Sequence, residues 1–353
     1  MKCSKKLMFL LLLAVVNPTY ANQLEKVASG FALPWSIEFV SHNTALVSER
    51  EGQLQFIELG SGKKTQIQGV WPVWFSGQGG LLDLALHPQF QRNAWIYATY
   101  SKPDDDEAST ALARFRIKDA RVRDFEELFV SNAKSSGGRH FGSRIAFDAQ
   151  GYLYFSSGDR GEREWAQELS SHAGKILRLH DDGRIPEDNP FYAVKGAQPE
   201  IWAYGNRNPQ GMHYDLETDV LWSIEHGPRG GDEVNIIQRG ANYGWPVISY
   251  GKEYWGPIDV GEGTHREGME QPVKYYVPSI APSSLSMFGN KLYAGALKLR
   301  HVNVLVLDAS MTRVTAEQRL FESLDERVRD TVLGPDQWMY FLTDLGNLYR
   351  FEP

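Results

Sequence analysis

A hairpin pattern that recurs six times constrains the fold of this chain more than any other feature. Each copy has an apolar strand, a turn carrying Asp, His, Pro, Gly or Asn, and a second strand rich in Leu, Tyr and Phe. The clearest copy, residues 145–159, reads Ile-Ala-Phe-Asp-Ala-Gln-Gly-Tyr-Leu-Tyr-Phe-Ser-Ser-Gly-Asp. Apolar runs around such turn residues are typical of paired strands. The other five copies occupy residues 36–49, 84–100, 212–225, 285–295 and 332–344.

Radial repetition of four-stranded sheets around a channel is one way in which an all-β chain protects its strand edges. Six copies leave about 55 residues for each unit, which is enough for four strands and their loops. The sequence therefore predicts an all-β fold, a six-bladed β-propeller with four-stranded antiparallel blades, formed by residues 22–353 as a single domain. A β-sandwich with duplicated hairpins is the alternative. A short helix is expected over residues 162–169.

The first 21 residues have the pattern of an export signal. Three lysines within the first six residues precede an apolar run over residues 7–16, which is too short to span a bilayer. Ala21 suits a cleavage site before Asn22. We therefore expect a signal peptide over residues 1–21, a periplasmic or secreted protein, and no membrane span in the mature chain.

The composition of the mature chain excludes several functions. Removing residues 1–21 removes the only Cys and three Lys, which changes the net charge from −7 to −10. An acidic chain argues against nucleic acid as a partner. A chain without Cys cannot form disulfides, thiolate metal sites or a thiol nucleophile.

Polar segments flank the repeated hairpins, where the loops of a propeller converge on one end of the channel. Together they contain a His, amides and several cations. This mixture suits an anionic, oxygen-rich cofactor and one general base. The segments are residues 77–82, 138–144, 205–211, 225–233, 242–246, 296–300 and 325–330.

Some of these segments carry the signature of a known family. The most specific are Gly-Asn-Arg-Asn-Pro-Gln-Gly at 205–211, Glu-His-Gly-Pro at 225–228, Asp-Glu at 232–233 and Asn-Tyr-Gly-Trp-Pro at 242–246. The chain resembles the soluble sugar dehydrogenases that use pyrroloquinoline quinone (PQQ), particularly the aldose sugar dehydrogenase branch. The resemblance extends from about Leu33 to the C-terminus. It implies PQQ at the mouth of a six-bladed propeller, oxidation of aldoses at C1 to lactones, and an external electron acceptor.

The resemblance makes His140 the general base that takes the proton of the sugar's C1 hydroxyl group. An imidazole titrates near neutral pH and suits that task. The glucose-specialised branch has an Asp immediately before this base, whereas this chain has Arg139. Either another carboxylate, such as Asp159, orients His140, or the neighbouring cation lowers its pKa and keeps the ring neutral. The departure favours a broader range of aldoses over glucose.

The resemblance also assigns cofactor-binding residues. Arg207 would stabilise negative charge that develops on the quinone, so it joins His140 as a catalytic group. Arg side chains pair bidentately with carboxylates, which suits a tricarboxylate ligand. The alternative for the two C-terminal arginines is a charged blade edge, paired with Asp325, Glu326 and Asp330. The expected cofactor-binding set is Gln78, Arg207, Asn208, Tyr254, Lys298, Arg327 and Arg329.

Calcium is implied in the same way. The backbone carbonyls of Gly227 and Pro228 would hold a Ca²⁺ ion that also binds PQQ and acts as a Lewis acid. Glu233 and Tyr243 resemble a second, structural calcium site. His226 replaces an amide found in the glucose branch and changes the surroundings of the calcium. A long insert associated with dimerisation in that branch is absent, so a monomer is expected.

Two other functions stay open on the sequence alone. A calcium-dependent lactonase or esterase on a six-bladed propeller would hold calcium in the channel with several Asn, Asp and Glu side chains. The polar set here is cationic, which favours an anionic cofactor. A non-catalytic propeller that binds a protein or a glycan would take up no PQQ. The favoured partners are a small-molecule aldose and an external electron acceptor.

Overall fold

A computed structural model describes residues 23–353 of the chain. Within this range, 24 strands form six four-stranded antiparallel sheets. The arrangement confirms the prediction of an all-β, six-bladed β-propeller. The expected signal peptide, residues 1–21, lies outside the described residues.

The strands are numbered in chain order, and those of each blade run from the channel outward. The chain enters through β1 (Glu25–Ala28). Blade 1 then consists of β2 (Pro34–Ser41), β3 (Thr44–Glu49), β4 (Gln53–Glu58) and β5 (Lys64–Ile67). Blade 2 consists of β6 (Leu81–Leu86), β7 (Ile96–Asp104), β8 (Glu107–Lys118) and β9 (Arg121–Val130). Blade 3 consists of β10 (Ile145–Phe147), β11 (Leu153–Ser157), β12 (Lys175–Leu179) and β13 (Ile201–Tyr204). Blade 4 consists of β14 (Pro209–Asp215), β15 (Val220–Glu225), β16 (Asp232–Ile237) and β17 (Lys274–Tyr276). Blade 5 consists of β18 (Ser286–Phe288), β19 (Lys291–Ala296), β20 (His301–Leu307) and β21 (Val314–Leu320). Blade 6 consists of β22 (Val328–Leu333), β23 (Met339–Thr343) and β24 (Leu348–Phe351), and it is completed by β1.

Helical structure is limited to short turns. The α-helix α1 (Phe90–Asn93) lies between β6 and β7. The expected helix over residues 162–169 is a 3₁₀ turn at Arg163–Ala166, and a second 3₁₀ turn spans Glu322–Leu324. Among the helices of the described residues, none is long and apolar enough to cross a bilayer.

The six sequence repeats correspond to the two inner strands of the six blades. In the clearest copy, β10 pairs with β11 through a tight turn. Asp148 Oδ1 accepts hydrogen bonds from the backbone N–H groups of Gln150 (3.0 Å) and Tyr152 (2.8 Å), and Gly151 has a φ of +85°. An Asp that caps its own turn, followed by a Gly in the left-handed region, is a strong hairpin signal. This turn chemistry made the inner hairpins recognisable in the sequence.

Burial decreases from the channel outward within a blade. All five residues of β11 are buried, because adjacent blades cover both faces of a second strand. Five of the seven residues of the outermost strand β21 are exposed. Strands that are covered on both faces have continuous apolar sequences, which explains why the inner strands carried the sequence signal.

The ring is closed by strand pairing between the two ends of the chain. β1 pairs antiparallel with β24, so blade 6 takes its outermost strand from the N-terminal region. Glu25 lies opposite Arg350 in this pairing, and their side chains form an ion pair at 2.8 Å. Closure therefore depends on backbone hydrogen bonds and packing rather than on a covalent link.

A single arginine joins the blades across the central channel. Nη1 of Arg144, just before β10, donates to Asp83 Oδ1 (2.8 Å) and to Asp330 Oδ1 (2.9 Å). Its Nε and Nη2 donate to the backbone carbonyls of Gln210 (3.0 Å) and Ser283 (2.8 Å). These five residues come from blades 2 to 6.

Blade 1 joins this network around Arg144 through two contacts. The backbone N–H of Ile37 donates to Asp330 Oδ2 at 3.0 Å, and the Arg144 guanidinium lies 4.3 Å from the ring centroid of Trp35. All six blades therefore meet at one buried charge network. The network lies directly beneath the loops that carry the candidate site.

Candidate active site at the mouth of the channel

His140 lies in the loop between β9 and β10, and its side chain is mostly buried (10% exposed). Its backbone N–H donates to Gln78 Oε1 at 2.8 Å, which connects blades 2 and 3. Gly158 packs against its carbonyl oxygen so closely that a Cβ there would lie 2.2 Å away. His140 itself has a φ of +57°, in the left-handed region. The loop is therefore held in one conformation from both sides.

Asp159 is the carboxylate that contacts the imidazole. His140 Nδ1 lies 2.6 Å from Asp159 Oδ1. The same carboxylate accepts hydrogen bonds from the backbone N–H of Gly161 (2.7 Å) and from the indole N–H of Trp245 (2.8 Å). The side chain is 1% exposed. The chain thus supplies, from the loop after β11, the orienting acid that Arg139 cannot provide.

The surroundings keep this pair as a neutral imidazole beside a carboxylate. Burial lowers the pKa of His140, as do the charges of Arg207 and Arg139, and the contact with Asp159 only partly offsets them. Burial alone would raise the pKa of Asp159, but the hydrogen bond with His140 and the charge of Arg207 lower it below its usual value. The imidazole is therefore available to accept a proton.

Arg207 and Asn208 are fixed by a buried glutamate. Glu225 Oε2 accepts hydrogen bonds from the backbone N–H groups of Arg207 (2.5 Å) and Asn208 (3.2 Å). Nη1 of Arg207 donates to the Gly227 carbonyl at 2.7 Å. The side-chain oxygen of Asn208 accepts from the backbone N–H of Gly142 (3.0 Å), two residues beyond the base. Blades 3 and 4 are thereby locked together around His140.

Arg327 and Arg329 share one carboxylate. Asp344, at the end of β23, accepts from Arg327 Nε (2.7 Å) and from Arg329 Nε (2.9 Å). Nη1 of Arg327 also donates to the Leu297 carbonyl at 3.3 Å, beside the exposed Lys298. Two guanidinium groups on one carboxylate leave this rim with net positive charge.

The alternative partners considered for these arginines are engaged elsewhere, so the proposed pairing was wrong. Asp344 instead approaches the arginines across the β22–β23 pair. The observed contacts of the alternative partners are Asp325 with Arg300, Glu326 with Thr343, Asn347 and Tyr349, and Asp330 with Arg144.

Arg50 adds a cation that the sequence did not reveal. Its Nη2 donates to the Gly79 carbonyl at 2.9 Å, and its guanidinium lies 5.4 Å from the ring centroid of Phe75. Burial and the nearby charge of Arg329 lower the pKa of Arg50. The residue therefore holds the loop that carries Gln78 and brings it close to the Arg329 rim.

Buried polar atoms without a partner mark this mouth as a ligand site. Within the part of the chain that the structure describes, Asn208 Nδ2, Arg207 Nε and His226 Nε2 are buried and make no hydrogen bond. Unpaired buried polar groups are costly, and a ligand can satisfy them. Together with the cations at the rim, these atoms fit a polar, anionic cofactor such as PQQ.

A second feature beside Arg207 suits a hard cation. Glu225 and Glu233 lie directly opposite each other on β15 and β16. Burial raises the pKa of Glu225 to about 7, and burial together with the charge of Glu225 raises the pKa of Glu233 to about 8. A divalent cation would relieve this repulsion. The adjacent cavity has room for about one water-sized sphere and is lined by Arg207, Glu225, His226, Gly227, Gly231, Glu233, Tyr243, Trp245, Ile248 and Ser249.

Backbone oxygens would have to complete either calcium site. Over residues 23–353, no three His, Cys, Asp or Glu side chains are grouped so that they could hold a metal. The Tyr243 hydroxyl donates to the Ile236 carbonyl at 2.6 Å, which leaves the Tyr243 carbonyl as the available ligand. The Gly227 carbonyl accepts from Arg207 and keeps one lone pair. The tight turn requires glycine there, because a Cβ would lie 2.2 Å from the Gly231 carbonyl.

Tyr254 lies at the edge of the site rather than in it. It belongs to the long excursion between β16 and β17, and it is 67% exposed. The excursion is attached by its neighbour Glu253, whose carboxylate lies 2.7 Å from Arg163 Nη1.

The structure brings together five of the predicted residues and places two more on the rim. The five are His140, Gln78, Arg207, Asn208 and Arg329, and the two on the rim are Arg327 and Lys298.

Comparison with known proteins agrees with this architecture. The family model described as Glucose / Sorbosone dehydrogenase matches residues 31–350. Aldose sugar dehydrogenase YliI of Escherichia coli is 41% identical over 335 residues, which cover 91% of this chain and 90% of that protein. The apo crystal structure of the soluble Escherichia coli aldose sugar dehydrogenase superposes with a TM-score of 0.90 at 38% identity, covering 94% of this chain and 99% of that one. The PQQ-bound aldose sugar dehydrogenase of Streptomyces coelicolor gives a TM-score of 0.81 at 25% identity, covering 95% and 99%. The chain belongs to the glucose/sorbosone dehydrogenase family, as the signature segments predicted.

Proposed function

We propose that this sugar dehydrogenase uses PQQ to oxidise aldoses at C1 to lactones and passes the electrons to an external acceptor. The observation that carries the proposal is the buried His140–Asp159 pair beside Arg207, at a mouth rich in unpaired donors and cations. The PQQ-bound state of the Streptomyces coelicolor relative supports the choice of cofactor. The preference for aldoses follows the name of the Escherichia coli relative.

His140 acts as the general base. Its Nδ1 faces Asp159, so Nε2 is the nitrogen that takes the proton of the C1 hydroxyl group. As the proton leaves, the C1–O bond gains double-bond character and C1 releases its hydrogen as hydride. When bound, PQQ supplies the acceptor for this hydride. Asp159 stabilises the imidazolium that His140 becomes.

The remaining residues bind and orient. Arg207 places a positive charge beside His140 and stabilises negative charge that develops on the acceptor side. Gln78 and Asn208 hold the loops of the base and offer amide contacts. Tyr254, at the edge of the site, would contact the bound cofactor from the open side. Lys298, Arg327 and Arg329 would bind the carboxylates of PQQ.

Calcium would be held at two positions. The Gly227 and Pro228 carbonyls would hold one ion beside Arg207, where it would supply Lewis-acid polarisation of the quinone. Glu233 and the Tyr243 carbonyl would hold a second ion at the small cavity. The raised pKa values of the facing pair Glu225 and Glu233 support this assignment, because a cation would stabilise their charged forms.

A reconstitution experiment tests the proposal. The chelator-treated protein is mixed with PQQ and CaCl₂, and reduction of a dye is followed after an aldose is added. We expect turnover with several aldoses, lactone as the product, and no turnover when PQQ is omitted. His140→Gln should retain PQQ binding but lose turnover by about 10²- to 10⁴-fold. Absence of dye reduction and of any quinone spectral change with the wild-type protein would refute the proposal.

The other two functions predict different outcomes. A calcium-dependent lactonase would hydrolyse lactones without PQQ, and the scarcity of clustered acidic ligands in residues 23–353 does not support it. A binding propeller would show neither activity. We further propose that the protein acts as an exported monomer, in the periplasm or outside the cell. A mature N-terminus near Asn22 and a monomer mass in light scattering are the expected results.

A further inference from the structure

The Asn-Tyr-Gly-Trp-Pro segment at 242–246 contains a side chain, Trp245, that contacts both Asp159 and Arg207. The Trp245 indole N–H donates to Asp159 Oδ2 at 2.8 Å, on the oxygen opposite the one that faces His140. The centroid of the indole ring lies 5.2 Å from the Arg207 guanidinium. The backbone N–H of Asp159 donates to the Arg207 carbonyl at 2.8 Å. Trp245 therefore contacts the orienting acid and the catalytic cation directly, and it reaches the base through Asp159.

Trp245 is itself firmly held. Its side chain is 6% exposed and packs with Ala166 and Val260. Its backbone N–H donates to the Gly205 carbonyl (2.8 Å), and its own carbonyl accepts from Gln167 Nε2 (2.7 Å). These contacts fix the position of the indole N–H relative to blades 3 and 4. A packing role alone would not require the polar edge of the ring to meet a carboxylate.

The Trp245 ring also connects the site to the exposed excursion. Arg163 lies 5.5 Å from the ring centroid and pairs with Glu253 through both guanidinium nitrogens, at 2.7 and 3.2 Å. Glu253 immediately precedes Tyr254 and the 73%-exposed Trp255. The excursion thus joins the base through a continuous series of direct contacts.

We propose that Trp245 is a positioning residue that sets the orientation and proton affinity of His140 through Asp159. The proposal rests on the proposed role of His140 as the base. The Asp159 carboxylate accepts three hydrogen bonds, and each donor stabilises its negative charge. When the indole donor is removed, the carboxylate holds more negative charge toward His140. The protonated imidazole then becomes more favourable.

Other charges face the pair and stay in place when Trp245 is changed. They lie on loops of blades 2, 3 and 4, and they act on His140, on Asp159 or on both. The charged or titratable groups around the pair are Arg139, Arg160, Arg163, Arg207 and His226.

Trp245→Phe tests the proposal in the protein without cofactor. It retains an aromatic ring but removes the N–H donor. Trp202→Phe is the matched control, because the indole N–H of Trp202 has no partner among the residues described. The readout is the NMR titration of the His140 imidazole, with its resonance identified by loss in His140→Gln. We expect its pKa to rise by about one unit in Trp245→Phe, in line with the strength of one charge-assisted hydrogen bond, and to be unchanged in Trp202→Phe.

The enzyme reconstituted with PQQ and CaCl₂ provides a second readout. The acid limb of kcat/KM should move to higher pH by the same amount in Trp245→Phe. Near-UV circular dichroism verifies the fold, and if Trp245→Phe does not fold, 3-benzothienylalanine at position 245 keeps the ring shape without the donor. A folded variant in which the His140 pKa is unchanged overturns the proposal. Loss of all dye reduction in the wild type would instead refute the proposed function, while the NMR result would still stand.

Discussion

Nη1 of Arg144 lies 2.9 Å from Oδ1 of Asp330, across the channel from blade 3 to blade 6. Both side chains are buried, and the same nitrogen contacts Asp83. Burial raises the pKa of Asp83 to about 6 although Arg144 opposes the rise, which shows how strongly these carboxylates depend on that one cation. A charge shared by six blades is a point where loss of one side chain affects the whole ring.

Arg144→Met should therefore destabilise the fold. It leaves two buried carboxylates without their counter-charge, and breaking a buried pair costs about 3–5 kcal/mol. The measurement is the free energy of unfolding in urea. Adding Asp83→Asn and Asp330→Asn to Arg144→Met should recover part of the loss. The control is Arg184→Met, which removes a surface pair with Asp182 and should cost less than about 1 kcal/mol. A loss of unfolding free energy in Arg144→Met as small as that in the control would contradict the role of Arg144 as the counter-charge of the buried network.

Asp159→Asn should impair catalysis without removing the cofactor. The amide cannot stabilise the imidazolium, and it also removes the charge that holds Nδ1 in its donor form. We expect kcat/KM to fall by about 10²-fold or more, within the range for general-base catalysis. Fluorescence titration with PQQ should give a dissociation constant close to that of the wild type. Parallel losses of binding and rate would indicate that Asp159 shapes the cofactor site instead.

The pH dependence follows from the lowered pKa of His140. A base must be deprotonated to act, and burial together with Arg207 keeps His140 neutral to a lower pH than its usual 6.5. As pH falls from neutrality, kcat/KM should stay level until below 6.5 and then decline. Initial rates between pH 4.5 and 8, at saturating PQQ and calcium, provide the measurement. An acid limb centred above 6.5 that persists in different buffers would exclude His140 as the titrating base in this environment.

The inner hairpins could be predicted from sequence because local turn chemistry specifies them. Asp148 and Gly151 define the turn between β10 and β11, and both strands carry a strong apolar pattern. The closing strand β1 could not be predicted in the same way. It has two exposed and two half-buried residues, and its pairing with β24 depends on contacts more than 300 residues away in the sequence.

The candidate site divides along similar lines. His140 and Arg207 belong to dense polar segments, so the sequence revealed them. Asp344 ends the sixth repeated hairpin and Arg50 follows the first, but both lie outside the dense polar segments. Trp245 was within a recognised segment, but its role depends on how the excursion between β16 and β17 reaches the loops of blade 3. Only the three-dimensional contacts reveal such roles.

Glu233→Gln tests the structural calcium site. In the wild type, calcium should stabilise the fold, because an ion that binds only the native state at 100 times its Kd adds about 2.7 kcal/mol. The variant should lose most of the rise in Tm that CaCl₂ produces after chelation. Glu262→Gln is the control, since Glu262 is exposed on the same excursion and pairs only with Arg266. Equal calcium-induced shifts in both variants and in the wild type would place the ion elsewhere.

Arg329→Met should weaken PQQ binding more than Arg327→Met does. Asp344 neutralises one of the two arginines, so removing either one leaves a neutral pair and cancels the excess positive charge of the rim. The two differ in burial: Arg329 is the more buried, and a buried cation is less screened by solvent. Losing one charge-assisted contact of about 1.5–3 kcal/mol raises the Kd by roughly ten- to a hundred-fold. Arg327→Met should change it by less than about tenfold, because solvent screens that exposed charge. Titration of the chelator-treated proteins with PQQ in CaCl₂ measures both constants. The reverse order would assign the cofactor carboxylates to the outer rim formed by Arg327 and Lys298.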